Sequence, residues 1–260
     1  MKNINIDELR NIQLDIMDDI ASFCEDNKLT YFLSYGTLLG AIRHNGYIPW
    51  DDDIDIVMPR PDYEYFLKNY NHRASDYKVI HYSEKKSYNL PFAKVHDTRT
   101  VMWEYMYKKE DFGVYVDVFP LDGSPKHGCF RFINYFLNMF LNTKKAILDD
   151  SRPIWKNCMM KIGKILLYPI SSGFICLLMD KIGSIYDYEK SPKVGLTVLN
   201  VNEVIDKSLF NKSLYHSFEN RSYRIPEGYE GYLKELYGDY MTLPPKEKQV
   251  THHTFKAWWK

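Results

Sequence analysis

The chain lacks most of the features that mark specialised proteins. Its four cysteines, Cys24, Cys129, Cys158 and Cys176, form no CxxC pair, which excludes a zinc ribbon or a thioredoxin-type site. All four read as small buried hydrophobes. Charge of one sign is also missing. Lys+Arg and Asp+Glu each total 34, whereas a generic nucleic-acid binder carries a basic excess. The opening MKNINIDELR has no apolar signal-peptide core, so a reducing, cytoplasmic compartment with free thiols is expected. Repeats and low-complexity tracts are absent. No apolar run is long enough to span a bilayer. The longest uncharged stretch, Ile165 to Met179, would reach about 22 Å as a helix, against a hydrocarbon core of about 30 Å. Pro169 and Gly173 would also break it. A buried core helix is the favoured reading of this stretch. The other is an interfacial helix, for which Lys156, Lys161, Lys164 and Lys181 would suit an anionic membrane surface.

What is present suits one large domain, or a domain with an appended subdomain. At 45% hydrophobic and 26% charged residues, the composition is that of a folded chain rather than a disordered one. Leu9, Ile12, Ile16, Ile20 and Phe23 recur at helical spacing after Asp7, a candidate cap. YFLSY (31–35) reads as a strand, LLGAIRH as a short helix, and the second half of DDDIDIVM as a strand ended by Pro59 and Pro61. Asp62 can cap the helix that follows. KVIHY (78–82), FAKVH (92–96), VMWEY (101–105) and VYVDVF (114–119) read as further strands. The fold class is therefore α+β, a mixed sheet packed with helices. A soft boundary near residue 125 separates a core (1–125) from a mostly helical extension and tail (126–260) that complete the same domain. Residues 226–260 read as a short helix and a Pro-rich tail.

The chemistry is concentrated in Asp51-Asp52-Asp53-Ile54-Asp55. On a strand, Asp51, Asp53 and Asp55 would share one face about 7 Å apart. Each such like-charge pair costs roughly 2 kcal/mol at an effective dielectric near 20. A divalent cation relieves that repulsion, and all-oxygen ligands suit Mg²⁺ or Mn²⁺. A solvated acidic turn is the plainer alternative, but Trp50 and Ile56-Val57-Met58 flank the run. An EF-hand fails because Ile56 stands where the loop needs Gly and Asp62 where it needs Glu. Gly36-Thr37, between a strand and a short helix, can meet a phosphate through backbone N–H groups and a hydroxyl. Alone it is an ordinary turn signal; followed by Asp-x-Asp on the next strand, it suggests a phosphate cradle beside a metal site. Asp117 is the best third carboxylate, opposite the valines of VYVDVF. A charge there is costly unless paired or metal-bound. Asp122 is the weaker choice, since LDG reads as a turn.

The stretch YGTLLGAIRHNGYIPWDDDIDIVMPR resembles the LicD/fukutin family, with Gly36 to Gly40, Arg43-His44, Gly46, Ile48-Pro49-Trp50 and Asp51 to Asp55 matching its pattern. FAKVHDTRT, VYVDVFPLDG and YLKELYGDYMTLPPKEKQVTHH also look like the family, while 126–220 carry no recognised pattern. The resemblance implies a nucleotidyltransferase-like fold. It implies metal-dependent transfer of phosphocholine, or a related phospho-alcohol, from CDP-choline or another CDP-alcohol to a glycan hydroxyl. The acceptor would be a lipid-linked teichoic acid, lipo-oligosaccharide or capsule precursor. In that pattern Asp53 and Asp55 are the metal pair, Asp117 the third carboxylate, Asp51 a further acidic position, and Gly36-Thr37 the Gly-Ser element.

Lys94 can bind donor phosphates as a point charge, although a strand lysine needs no such role. Arg43 can fork to phosphate or pair with an aspartate. Asp97 and Arg99 read as turn residues and His44 as structural. His252 or His253 can face the site, though not both, since adjacent residues point apart. Trp258-Trp259 can stack on a base or sugar, rest at a membrane interface, or simply pack. The competing functions are an Asp-x-Asp glycosyltransferase holding a metal-bound nucleotide sugar, and a non-catalytic glycan- or nucleotide-binding module. The Gly-Thr element opposes the first and the intact aspartates the second. The expected location is the cytoplasm, at the inner face of the membrane if 165–179 meets lipid.

Overall fold

A computed structural model describes residues 2–85, 88–104, 112–124, 129–146, 153–196, 203–251 and 255–260. The chain opens with β1 (Asn3–Ile4) and α1 (Ile6–Asp26). The periodic residues Leu9, Ile12, Ile16, Ile20 and Phe23 of α1 are all buried. Its cap is Asn5, not Asp7: the Asn5 side chain accepts from the Glu8 N–H at 2.8 Å. Asp7 already lies inside the first turn, where a negative charge suits the helix dipole. β2 (Phe32–Leu33) is shorter than expected, because Tyr35 already begins α2 (Tyr35–His44). β3 (Asp55–Pro59) and α3 (Arg60–Asn69) follow. Asp62 does not cap α3; it accepts from the Thr30 N–H at 2.9 Å, tying α3 to the segment before β2.

Next come β4 (Tyr77–Ile80), β5 (Ala93–Asp97), β6 (Thr100–Glu104) and β7 (Tyr115–Ser124), near the expected strands. The central sheet runs β2-β3-β7-β5-β4. β3 and β7 are parallel, and the other pairs on this path are antiparallel. Every residue of β7 is buried, as a central strand covered on both faces requires. β7 also runs past LDG, which is strand rather than turn. Asp122 and Gly123 pair with Gly195 and Val194. A Cβ at Gly123 would lie 2.7 Å from the Tyr186 carbonyl oxygen, so glycine is there for close approach and not for turning.

Helices α4 (Cys129–Lys145), α5 (Ile154–Leu166) and α6 (Ser172–Gly183) occupy the extension. The stretch 165–179 is thus two helix pieces, not one. α6 buries Ile175, Cys176 and Met179, as a core helix should, whereas no residue of α5 is buried. Beyond α6 the chain adds β8 (Lys193–Gly195), β9 (Ile205–Asp206), the hairpin β10 (Ser213–Phe218) and β11 (Arg221–Pro226), α7 (Tyr229–Tyr237) and β12 (Phe255–Trp259). β8 extends the sheet from β7. The end of the chain is no loose tail: β12 lies between β1 and β6, the Trp259 indole donates to Glu8 at 2.9 Å, and Trp103 packs edge-on to Trp258. Cys24, Cys158 and Cys176 are free thiols; Cys24 and Cys176 are buried, but Cys158 is exposed because it lies on α5.

One buried ion cluster ties helices to sheet. Arg60 donates to both Asp122 oxygens, at 2.6 and 3.0 Å, and to Asp180 of α6 at 2.6 Å. Burial opposes the Arg60 charge, and Asp122 more than restores it, holding the guanidinium above its ordinary pKa. Removing the guanidinium takes the bidentate cation from Asp122 and the ion-pair partner from Asp180. Arg60→Met leaves Asp122 with no exposed surface and should cost about 3–5 kcal/mol in urea unfolding; a loss below about 1 kcal/mol would show that the cluster does not hold the layers together.

Candidate active site

Strand register assembles the centre of the site. Asp55 of β3 lies beside Asp117 of β7, and Asp117 lies beside Lys94 of β5. Register-paired residues share a face of the sheet, so Lys94, Asp117 and Asp55 form one charged row across three strands. Lys94 Nζ is 2.7 Å from Asp117 Oδ1, and both side chains are largely buried. The same ammonium sits 3.3 Å from the Tyr115 ring centroid, a cation–π contact that helps to hold a desolvated lysine.

The other aspartates arrive on a loop, not on the strand. β3 starts at Asp55, so the alternation expected to place Asp51, Asp53 and Asp55 on one face does not apply to 51–54. That loop is shaped from α1. Arg10 Nη2 donates to the carbonyls of Ile48, Pro49 and Asp51, at 3.3, 3.2 and 2.6 Å, and Gln13 donates to the Asp52 carbonyl at 2.9 Å. With the carbonyls drawn toward α1, carboxylate oxygens of Asp51, Asp52 and Asp53 come within 4.8 Å of one another. Asp52 therefore belongs to the cluster, although strand alternation had turned it away.

The start of α2 faces this acidic group. Ser34, at the N-cap, makes no capping bond with its side chain; its hydroxyl pairs instead with the Tyr232 hydroxyl at 2.6 Å. A Cβ at Gly36 would lie 2.6 Å from Asp51 Oδ2, so only glycine lets the helix start approach that carboxylate. Thr37 is buried, and its hydroxyl accepts the Asp55 N–H at 2.8 Å. Tyr35 takes φ 47°, a left-handed conformation that strains a bulky side chain by about 1–3 kcal/mol. It is fixed by a 2.6 Å bond from its hydroxyl to Glu203 and an edge contact with Phe119. Glu203 is buried, and desolvation pushes its carboxyl up to about 7.

Arg43 stands at the far end of α2, about 9 Å along the axis from Thr37. Its guanidinium donates to the Tyr240 carbonyl at 2.8 Å and to His44 at 3.0 Å. The YLKELYGDY stretch forms the adjoining wall: Tyr232 reaches Ser34, and burial together with the charges of Asp55 and Asp51 holds the Tyr237 hydroxyl above its ordinary pKa. Asp97 and Arg99 form a turn pair at 2.6 Å, as expected. His252 and His253 lie outside the described residues.

Burial raises the Asp55 pKa well above the ordinary carboxylate value, and Asp53, Asp117 and Asp51 raise it further; Lys94 only partly offsets this. A half-buried carboxylate destabilised by three others, beside a trio with converging oxygens, fits a divalent cation held by oxygen ligands. The acidic cluster can bind a metal.

A mixed sheet carrying paired aspartates, opposed by a helix start at Gly36-Thr37, defines a nucleotidyltransferase-like domain. Residues 28–137 match the family model described as "LicD/FKTN/FKRP, nucleotidyltransferase domain". The chain is 30% identical over 268 aligned residues to the lipopolysaccharide cholinephosphotransferase LicD of Haemophilus influenzae, covering 99% of both chains. It is also 27% identical to an uncharacterized protein of Rickettsia prowazekii, over 54% of this chain and 50% of that one. This protein belongs to the LicD family.

Arg10, Gln13, Tyr232 and Glu203 escaped the sequence reading, since nothing local marks a residue that acts across 35 or more positions. Glu203 generates a pH prediction. Its folded pKa, about 7, lies above the ordinary 4.5. Between those values the folded state keeps a proton that the unfolded state has lost, so stability falls as pH rises through the window. Glu203→Gln mimics the protonated form and should stabilise the protein relative to wild type by on the order of 2–3 kcal/mol above pH 7, with little effect near pH 4.5. Urea unfolding of both proteins at pH 5 and pH 8 tests this; an equal difference at the two pH values would disprove the protonated state.

Proposed function

We propose that this protein transfers phosphocholine from a CDP-activated donor to a hydroxyl of a cell-surface glycan, releasing CMP. The observation that carries the reading is the register of Asp55 with Asp117 beside Lys94, facing the start of α2. The printed name of the Haemophilus relative, with its whole-length match, supports choline phosphate as the group and a glycan of the lipopolysaccharide type as the acceptor. Asp51, Asp52 and Asp53, whose oxygens converge, with Asp55 and Asp117 beside them, are the residues that would hold Mg²⁺ or Mn²⁺. When bound, such an ion supplies charge neutralisation at the diphosphate.

The residues of the chain divide the remaining work. The free N–H groups at the start of α2, Gly36 and Thr37 included, favour an anion by hydrogen bonding and by the helix dipole. Lys94 balances charge at the row of carboxylates, and Arg43 anchors α2 to the segment after α7. Asp117 approaches from a different strand than the Asp51–Asp55 run, which suits it to accept the proton of the attacking hydroxyl. The acceptor oxygen forms the new bond to the phosphorus that carries choline, the bond from that phosphorus to the CMP oxygen breaks, and CMP leaves with the electron pair. No activated Ser, Cys or His nucleophile appears in the motif, so the transfer is direct, with inversion at phosphorus. The proposed location is the cytoplasm, at the inner face of the membrane if the acceptor is lipid-linked.

Asp55→Asn should reduce CMP release from CDP-choline to background and abolish the rise in melting temperature that Mg²⁺ or Mn²⁺ produces. The metal-free variant should melt no lower than wild type, because a repelled, partly desolvated charge has gone. Near-normal turnover would remove Asp55 from the chemistry. UDP release from a UDP-sugar, with none of CMP, would instead make the protein a glycosyltransferase.

A further inference from the structure

We propose that the outward faces of α4 and α5 form a docking surface for an anionic lipid bilayer. This builds on the membrane-face location given above, but it rests on different residues from those assigned to the chemistry. α5 is turned inside out. Its half-buried positions are Asn157, Met160, Gly163 and Lys164. At Gly163 a Cβ would lie 3.0 Å from the Thr143 methyl of α4, so a bare position meets the neighbouring helix. Lys164 donates to the Lys144 carbonyl at 3.3 Å, and Lys144 donates to the Leu167 carbonyl at 2.7 Å. The face held against the protein is thus largely polar or small.

The opposite face is apolar and open. At 100° per residue, Ile154, Trp155, Met159, Ile162, Ile165 and Leu166 fall within an arc of about 140°. Trp155 is 60% exposed and Leu166 71%. α4 continues the surface: it buries Asn134, Leu141 and Lys145 while Phe132, Tyr135, Phe136 and Met139 stay exposed. A globular helix turns its apolar stripe inward, and an exposed apolar surface of this extent marks a binding site. Among the described residues, no helix is long and apolar enough to cross a membrane, so the geometry points to a surface that lies in the interface.

Charge selects the occupant. Residues 126–179 contain eight Lys or Arg and only two Asp, in a chain whose net charge is zero. α4 and α5 contain no acidic residue. Lys156 and Lys161 lie on either side of the apolar arc, where their stems can follow it and their ammonium groups reach phosphate headgroups. A second copy of the chain is a poor partner for the same reason, since it would set lysines against lysines.

The test is co-sedimentation of the full chain with phosphatidylcholine vesicles, with and without phosphatidylglycerol. Wild type should pellet with the anionic vesicles, less so as salt rises. Ile162→Asp/Leu166→Asp should lower partitioning at least about tenfold at any salt. Lys156→Glu/Lys161→Glu should lower it at low salt by about fivefold or more for each lysine. The four positions are exposed, so melting temperatures should not move. The proposal is overturned if wild type stays in the supernatant, if the Asp variant still pellets, or if wild type is a dimer that the Asp variant makes monomeric. Transfer to a water-soluble acceptor should survive in both variants. Its absence from wild type, with vesicle binding intact, would count against the transferase reading alone.

Discussion

Asp55 and Asp117 stand side by side on neighbouring parallel strands, and most of the site can be understood as compensation for that placement. Strands in a sheet lie about 4.8 Å apart, and two unit charges at that distance repel by about 3 kcal/mol at an effective dielectric near 20. Asp51 and Asp53 add to the repulsion, and burial removes the water that would screen it. Three features work against this cost. Lys94 brings the one ammonium that reaches Asp117 among the described ion pairs. The start of α2 turns its positive dipole end toward the cluster. Arg10 and Gln13 hold the loop by its carbonyls, so that its carboxylates converge without the loop relaxing. Such an arrangement is stable only with the charge balanced, which is why it suits a site that receives a cation and an anionic donor.

The legible part of this site was local. Gly36 and Thr37 could be picked out because both act within a few residues of the strand-to-helix turn. Asp117 could be picked out because alternation left one charge on an otherwise apolar strand. Lys94 was legible for the same reason, though its partnership with Asp117 was not. Asp52 is hidden from strand alternation because its segment is loop. LDG carries turn chemistry, yet the strand continues through Asp122 because β8 offers a partner and Gly123 lets the Tyr186 backbone approach. β12 was invisible for a different reason. A five-residue strand becomes recognisable only once β1 and β6, far away in sequence, are known to flank it.

Arg43 shows how a motif residue can serve the site from a distance. It follows Gly40 in the same run, yet Gly40 and Arg43 work at the end of α2 away from the aspartates. A Cβ at Gly40 would lie 2.4 Å from the Gly46 carbonyl oxygen, so the chain can fold back there into the acidic loop. Arg43 then fastens that end of the helix to Tyr240. Fixing the far end of a short helix also fixes the direction of its start. The GTLLGAIRH run therefore mixes residues at the helix start, beside the acidic cluster, with residues that fix the helix at its other end.

The same logic links the site to the helical layer. Asp117 and Asp122 lie on one strand, five residues or about 16 Å apart. Asp122 holds Arg60, and Arg60 holds Asp180 of α6, against which α4 packs. A continuous, largely buried path therefore runs from the carboxylate row, along β7, through the ion cluster, to the helices whose apolar faces point outward. Nothing in that path is a loop tip or an exposed pair. With the helices seated on a lipid surface, a rigid connection of this kind would set the height at which the carboxylates meet a lipid-linked glycan. The acidic site would also be kept from sinking into anionic headgroups, because α4 and α5 carry lysines and no acidic residue, whereas the repelling aspartates lie on the sheet and the loop before β3. Position relative to the membrane would then be part of acceptor selection, since a hydroxyl must lie at the reach fixed by the strand and not merely carry the right chemistry.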